Sequence, residues 1–237
     1  ETRRVADAAE IEEFIAQHAG QVLGIDVVLQ TVRGTPGLPV EPGSLPVKTT
    51  SRSNNAPVTD DVLAVAIAAT DDAIYVDLAE AGEELEKALA NYLANAAEEK
   101  VVHDNKRIVK AFTGRGFELN GVIDDALISA YLIQPDRRTY DLEELASFYL
   151  KTDLRDDAPV GQQSFDFGDE GADDKLIQQH GHRAWALTEL HDVFAAELVD
   201  RGVNQLLNGL EIPLSNVLAD MEITGIAVSQ EKLDGLI

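Results

Sequence analysis

Cysteine is absent from the 237 residues, and methionine and tryptophan occur once each. The first absence excludes a disulfide framework, a thiol nucleophile and cysteine-ligated zinc, and it fits a reducing cytoplasm. No apolar run reaches the roughly 18–20 residues needed to span a bilayer. The opening Glu1-Thr2-Arg3-Arg4-Val5 lacks the apolar core of a secretory leader, so neither membrane nor export is expected. Basic residues are scarce: 19 Lys+Arg stand against 43 Asp+Glu, a formal net charge of −24. Such a chain is, as a whole, a poor non-specific binder of phosphate backbones, although metal ions can still bridge acidic residues to phosphate. Several motifs are missing too. Gly34-Thr35-Pro36-Gly37 and Gly114-Arg115-Gly116 do not match a phosphate loop, and there is no G-x-G-x-x-G, nucleophile elbow or H-E-x-x-H. Zinc is therefore not expected.

What is present reads as an α/β layout. Ile11, Phe14, Ile15 and His18 recur at helical spacing over 7–19. The β-branched run 21–29 predicts a strand. Between about 31 and 61, prolines and glycines crowd in with Ser, Thr and Asn, which predicts a long loop. Val62 to Ala69 and Ala73 to Leu78 read as a hairpin around Asp71-Asp72. A helix over 82–97 precedes the short strand Lys100-Val101-Val102. Further helices are expected at Asp104–Gly114, Asp124–Gln134 and Leu142–Leu150, with Asp104 and Asp141 as N-caps and Gly114 as a stop. Eight acids over 153–174 against the single base Arg155 predict a solvated loop, without the D-x-D-x-D-G spacing of a calcium site. Two long helices, Lys175–Asp200 and Leu206–Thr224, follow. The chain stops at Ile237 inside a helical pattern, which reads as a fragment of a longer protein.

Three stretches carry a resemblance to a known family. Val101 to Leu132 contains Gly116-Phe117-Glu118-Leu119-Asn120-Gly121 and Asp124-Asp125-Ala126-Leu127, similar to a "G-I-x-L-x-G-…-D-T-x-L-x-x-Y-L" segment. Tyr140 to Leu150 resembles "L-x-x-L-A-x-x-Y-L". Glu211-Ile212-Pro213-Leu214 through Met221-Glu222 to Gly225-Ile226-Ala227-Val228 resembles "E-x-P-L-x-x-V-L-x-x-M-E-x-x-G-I". All three belong to bacterial family A DNA polymerases, the DNA polymerase I family, and the acidic, alanine-rich style points to an actinobacterial version. The resemblance implies a ribonuclease-H-like (DnaQ-like 3′–5′ exonuclease) fold with a mixed sheet flanked by helices, followed by long C-terminal helices. It places an exonuclease-like proofreading domain at 1–205 and the beginning of the polymerase thumb at 206–237, without the catalytic palm.

The same resemblance implies where the chemistry should sit. Two-metal phosphodiester hydrolysis needs several carboxylates around a metal pair about 4 Å apart. The family's D-x-E falls on Asp26 and Val28, and a valine cannot bridge metals. Its N-x-x-(Y/F)-D falls on Asp104 and, at the catalytic aspartate, Ile108. Its Y-x-x-x-D falls near Gln178–Leu187, where Arg183 stands close to the aspartate position. Only Asp26 survives, a weak candidate for a metal, so no catalytic, metal or cofactor site is expected to function.

Three readings follow. The first is a degenerate exonuclease-like domain in DNA replication and repair, structural beside a polymerase module in cis and meeting DNA through it, monomeric and cytoplasmic. The second is an active exonuclease using Mg²⁺ or Mn²⁺, with ligands rebuilt from Asp26, His103, Asp104 and Asp124 or Asp125. The third is a protein-interaction module using the acidic or the Pro-rich loop. Bland roles compete throughout: Asp124 and Asp125 as helix N-terminal acids, His103 as a strand-end hydrogen-bonder, Trp185 as a core anchor rather than a base-stacking surface, and Arg137-Arg138 as an exposed pair rather than a phosphate contact. His182 and His191 are nine residues apart and do not form a close pair on one helical face.

Overall fold

The computed structural model describes residues 1–33, 58–155 and 170–226. Six strands form one mixed sheet in the order β1-β4-β3-β2-β5-β6. These are β1 Thr2–Arg4, β2 Leu23–Arg33, β3 Val58–Ala68, β4 Ala73–Asp77, β5 Lys100–Val102 and β6 Val122–Asp125. The antiparallel meander β2-β3-β4 forms the centre, and β1, β5 and β6 add parallel pairings at the edges.

Helices cover both faces because both faces of the central strands are apolar. Along β3, Val65 and Ile67 point to one side and Ala64, Ala66 and Ala68 to the other, the period of a pleated strand. On the first side lie α1 (Ala8–Gln17), α2 (Glu83–Ala94) and α3 (Asn105–Arg115). Their Phe14, Leu89 and Phe112 are fully buried there with Ile25, Ile67 and Ile74. α1 starts where Asp7 accepts a hydrogen bond from the Glu10 backbone N–H at 3.1 Å. On the second side lie α4 (Ala126–Ile133), α5 (Leu142–Leu145, continuing as a π-helical turn Ala146–Leu150) and the long α6 (Glu170–Asp200). Leu187, Leu190 and Phe194 of α6 fill that core. The chain returns through α7 (Asn204–Leu206), a π-helical turn Leu207–Glu211 and α8 (Ile212–Thr224), which packs on α3.

Small residues let α6 lie close to the sheet. A Cβ on Gly24 would sit 2.0 Å from the Ala184 carbonyl oxygen, so this strand position has room only for hydrogen. Gly24 is two residues before Asp26 on the same face of β2.

The expected α/β layout is observed, with differences that have physical causes. β2 and β3 are longer than the expected strands at 21–29 and 62–69: β2 runs to Arg33 and β3 begins at Val58, because the two pair from Leu29↔Val62 to Arg33↔Val58. The rest of the expected 31–61 loop lies outside the described residues, as does 156–169 of the acidic stretch. Glu170 to Asp174 belong to α6 rather than to a loop. β1 and β6 are additional. Asp124 and Asp125 end strand β6, so the helix starts at Ala126 rather than Asp124, and Asp125 opens it as the N-cap of α4, accepting from the Leu127 N–H at 3.0 Å. α3 stops at Gly116, whose φ of 86° is the left-handed turn-off that Gly114 was expected to supply. Asp104 does cap α3, but Asp141 makes no side-chain cap. The Leu206–Thr224 helix is interrupted by the π-helical turn.

We expect Gly24→Ala to destabilise the fold by about 2 kcal/mol or more, since the added methyl group meets backbone rather than a movable side chain. Urea unfolding measures it; a change within error would mean that α6 and β2 are not in close contact at this point.

Candidate functional site

Asp26 sits in the middle of β2, opposite Ala66 on β3, and is 7% exposed. Its outlet is a cleft of about 290 Å³ whose walls include His103, Asp104, Arg107, Ile108, Asp141, Glu143 and Arg183. The cleft lies between the end of β5, the start of α3, the start of α5 and one face of α6.

Both Asp26 carboxylate oxygens are taken by α6. Arg183 Nε donates to Oδ1 at 3.1 Å, and His180 Nδ1 donates to Oδ2 at 2.6 Å. His180 and Arg183 are three residues apart, which puts them on one helical face. The Arg183 guanidinium also donates through Nη1 to Glu143 at the start of α5. Burial pushes the Asp26 carboxyl up, but the His180 hydrogen bond and the Arg183 charge outweigh it and hold the pKa below its ordinary 3.8. The ionised carboxylate is acceptor-only, so His180 Nδ1 carries the proton. For Arg183, burial disfavours the charge while Asp26 and Glu143 more than restore it, leaving its pKa raised.

The other motif positions have joined the packing. Val28 is half-buried, pairs with Ala64 across the hairpin and packs on the apolar cluster that includes Tyr75 and Ile177; the ladder bulges just after it. Ile108 is 4% exposed in the core shared with Phe112. Arg107 turns outward to the extended hairpin, with Nε 2.6 Å from Asp60 Oδ2. Its hydrogen bond is the main cause of the lowered Asp60 pKa.

The acids that a rebuilt site would need are placed differently. His103, Asp104 and Asp26 share the cleft, but Asp124 and Asp125 are absent from its walls. Asp124 accepts hydrogen bonds from the Ser129 hydroxyl and from His191 Nδ1, the latter at 2.7 Å. That bond raises the His191 pKa against the opposing effect of burial. Asp125 accepts from the backbone N–H groups of Asp104, Asn105 and Leu127 at 3.0, 2.8 and 3.0 Å. Burial nevertheless leaves its pKa raised. His103 Nε2 meets the Tyr140 carbonyl at 2.7 Å, the strand-end role expected of it. Trp185 packs partly against the core and stacks on His182 at 5.1 Å. Among the described residues no group of three or more His, Asp or Glu is arranged to hold a metal ion. The donor set fits a divalent pair poorly, since one carboxylate is already held by a guanidinium and an imidazole. The sequence placed Arg183 near this position but did not bring His180 to Asp26 or Glu143 to Arg183.

A mixed sheet with this strand order, helices on both faces and an acid on its central strand defines the class: a ribonuclease-H-like exonuclease fold. A family profile for "DNA polymerase I, ribonuclease H-like domain" matches residues 51–161. The DNA polymerase I of Mycobacterium tuberculosis is 38% identical over 177 residues, which are 74% of this chain and 20% of that protein. That of Bacillus subtilis is 32% identical over 146 residues, 60% of this chain and 16% of that protein. The solved POL domain of M. smegmatis Pol1, in complex with DNA primer-template and dNTP, superposes with a TM-score of 0.75 at 28% identity, covering 100% of this chain and 34% of that one. Brucella melitensis NrnC with bound Mg²⁺ shares the fold at a TM-score of 0.64 and 13% identity, covering 97% of this chain and 96% of that one. The chain belongs to the DNA polymerase I family, and it spans about a fifth of the length of the curated relatives it matches.

Removing one partner of a buried ion pair strands the other charge. We expect Arg183→Met to cost about 3 kcal/mol at neutral pH. Because the native Asp26 pKa is depressed, this stabilisation is present above about pH 3.8 and is lost as the pH falls through the lower native value. The gap between wild type and variant in urea unfolding should therefore close on acidification below 3.8; a gap independent of pH would separate Arg183 from the Asp26 charge.

Proposed function

We propose that this chain is a catalytically silent 3′–5′ exonuclease-like domain of a DNA polymerase I, serving as a structural support beside the polymerase module. The observation that carries this reading is the occupation of both Asp26 oxygens by Arg183 and His180. Hydrolysis of a phosphodiester by two metal ions requires carboxylates free to bind cations. Here Asp26, the one acid at the motifs' metal-carboxylate positions, is neutralised by the protein's own cation, while Val28 and Ile108 offer no oxygen.

The structural role has its own support. α8, the start of the proposed polymerase part from about 206 onward, is tied to α3. Asn105 Nδ2 donates to Ser215 Oγ at 2.6 Å and to Asn216 Oδ1 at 2.8 Å. Lys106 and Lys110 hold Glu222 at 2.8 and 2.6 Å. The helix that carries catalysis in the proofreading motif here joins two parts of one chain. Replication and repair of DNA in the cytoplasm, with the polymerase domain in cis, is the setting this reading assigns. Among the described residues no helix is long and apolar enough to cross a membrane.

One observation favours the second reading, an active exonuclease with relocated ligands: Asp26 still shares its cleft with Asp104, Asp141 and Glu143. A gel assay on 5′-labelled single-stranded and 3′-mismatched DNA, in Mg²⁺ and then Mn²⁺, separates the two. We expect trimming by the chain to equal that by Asp26→Ala. Metal-dependent trimming that vanishes in Asp26→Ala would replace the silent-domain reading with the active one.

A further inference from the structure

A second cavity, of about 400 Å³, opens where α6 crosses the β1 edge of the sheet and the turn between β3 and β4. Gln178, Gly181, His182 and Trp185 of α6 line it. Their spacing of i, i+3, i+4 and i+7 puts them on one helical face, a different face from that of His180 and Arg183. The floor is built from small residues. Ala69 and Ala73 are buried there, and a Cβ on Gly181 would sit 1.8 Å from Thr2 Oγ1. Gln178 holds Thr2 with both ends of its amide: Oε1 accepts from the Thr2 N–H at 2.9 Å, and Nε2 donates to the Thr2 carbonyl at 2.7 Å. β1 is thereby fixed on α6, and the walls stand without a ligand.

Aromatic surface and carboxylates meet in this cavity. The Trp185 and His182 rings lie 5.1 Å apart at 31°, a nearly continuous flat surface. Asp71 and Asp72 of the β3–β4 turn supply the charge. Among the described residues, the base within 4 Å of Asp71 is His18, with Nε2 at 3.6 Å. His18 Nδ1 lies 2.9 Å from the Phe14 carbonyl, so Nδ1 carries a proton and a neutral ring turns a lone pair toward Asp71. The Asp71 side chain is 85% exposed. Asp72 Oδ1 accepts from the Ala73 N–H at 2.9 Å, and Arg3 Nη2 stands 3.7 Å from Oδ2. That pair is long and partly exposed, so it contributes little and is readily exchanged.

We propose that this cavity is a binding site for an arginine side chain carried by a peptide segment of a partner protein. Charge complementarity selects a cation: the chain carries a net charge of −24, and the cavity adds two carboxylates. The same charges repel phosphate, which sets nucleotides aside. The aromatic surface selects a cation that is flat. A guanidinium stacks on an indole face and still directs its in-plane N–H groups at carboxylates, whereas an ammonium is a point charge without a plane. The inference rests on this cavity alone. It holds whether or not the Asp26 cleft is silent.

Trp185 is the single tryptophan of the 237-residue chain, so its fluorescence reads the cavity directly. The probes are end-blocked Gly-Arg-Gly, Gly-Lys-Gly and Gly-citrulline-Gly peptides, titrated at constant ionic strength. We expect a saturable change in emission with the arginine peptide, several-fold weaker binding of the lysine peptide, and no change with citrulline, which keeps the shape without the charge. Asp71→Asn/Asp72→Asn should weaken the arginine peptide about tenfold or more. Asparagine at 72 keeps an oxygen for the Ala73 N–H, so this variant should retain the wild-type melting curve. Glu83→Gln/Glu84→Gln removes the same charge from an exposed stretch of α2 and should leave binding unchanged. An equal loss in that second variant would trace binding to net charge and overturn the proposal. No saturable response, an equal response to citrulline or lysine, or undiminished binding by the folded Asp71/Asp72 variant overturns it as well.

Discussion

The ion pair between Asp26 and Arg183, completed by His180, joins the central strand to the longest helix. The rest of the site depends on it. A buried carboxylate on β2 needs a counter-charge, and α6 supplies it from one helical face. Close approach of α6 to β2 is possible because Gly24 and the alanines of β3 leave room. The pair in turn fixes Glu143, and with it the start of α5, on the opposite wall of the cleft. Both oxygens of the one carboxylate on this strand are held by side chains of the chain itself.

On α3 the side chains at the motif positions are likewise engaged in packing and pairing. Ile108 is turned into the hydrophobic core, where burial of its side chain contributes about 1.5–3 kcal/mol. Arg107 reaches the lengthened hairpin at Asp60, and Asn105, Lys106 and Lys110 grip α8. On the silent-domain proposal, the motif positions on this helix serve packing. Core and site are separable in this way because the fold needs only apolar faces and satisfied backbone groups, while chemistry needs particular oxygens at particular distances.

Local signals made much of this legible in the sequence. The apolar periodicity of α1 and α2, the β-branched run of β2 and the hairpin around Asp71-Asp72 are set by neighbours in the chain, and they were readable. The short β1 and β6 were not, since three or four residues become a strand only when an edge accepts them. Asp125 is the helix N-terminal acid it was read as, capping α4, but its further bonds to the Asp104 and Asn105 amides and the pairing of Asp124 with His191 were not readable, because those partners are remote in sequence. Motif spacing singled out Asp26, Val28, Ile108 and Arg183. It could not show that Arg183 and His180 would close on Asp26, because that contact spans more than 150 residues and depends on how α6 crosses the sheet.

The most direct test of this account is a crystal of the chain soaked in Mn²⁺ and measured at the manganese absorption edge. The account predicts no anomalous peak beside Asp26, with Arg183 Nε still hydrogen-bonded to its carboxylate. One or two manganese ions bound to Asp26, with the guanidinium displaced, would contradict it.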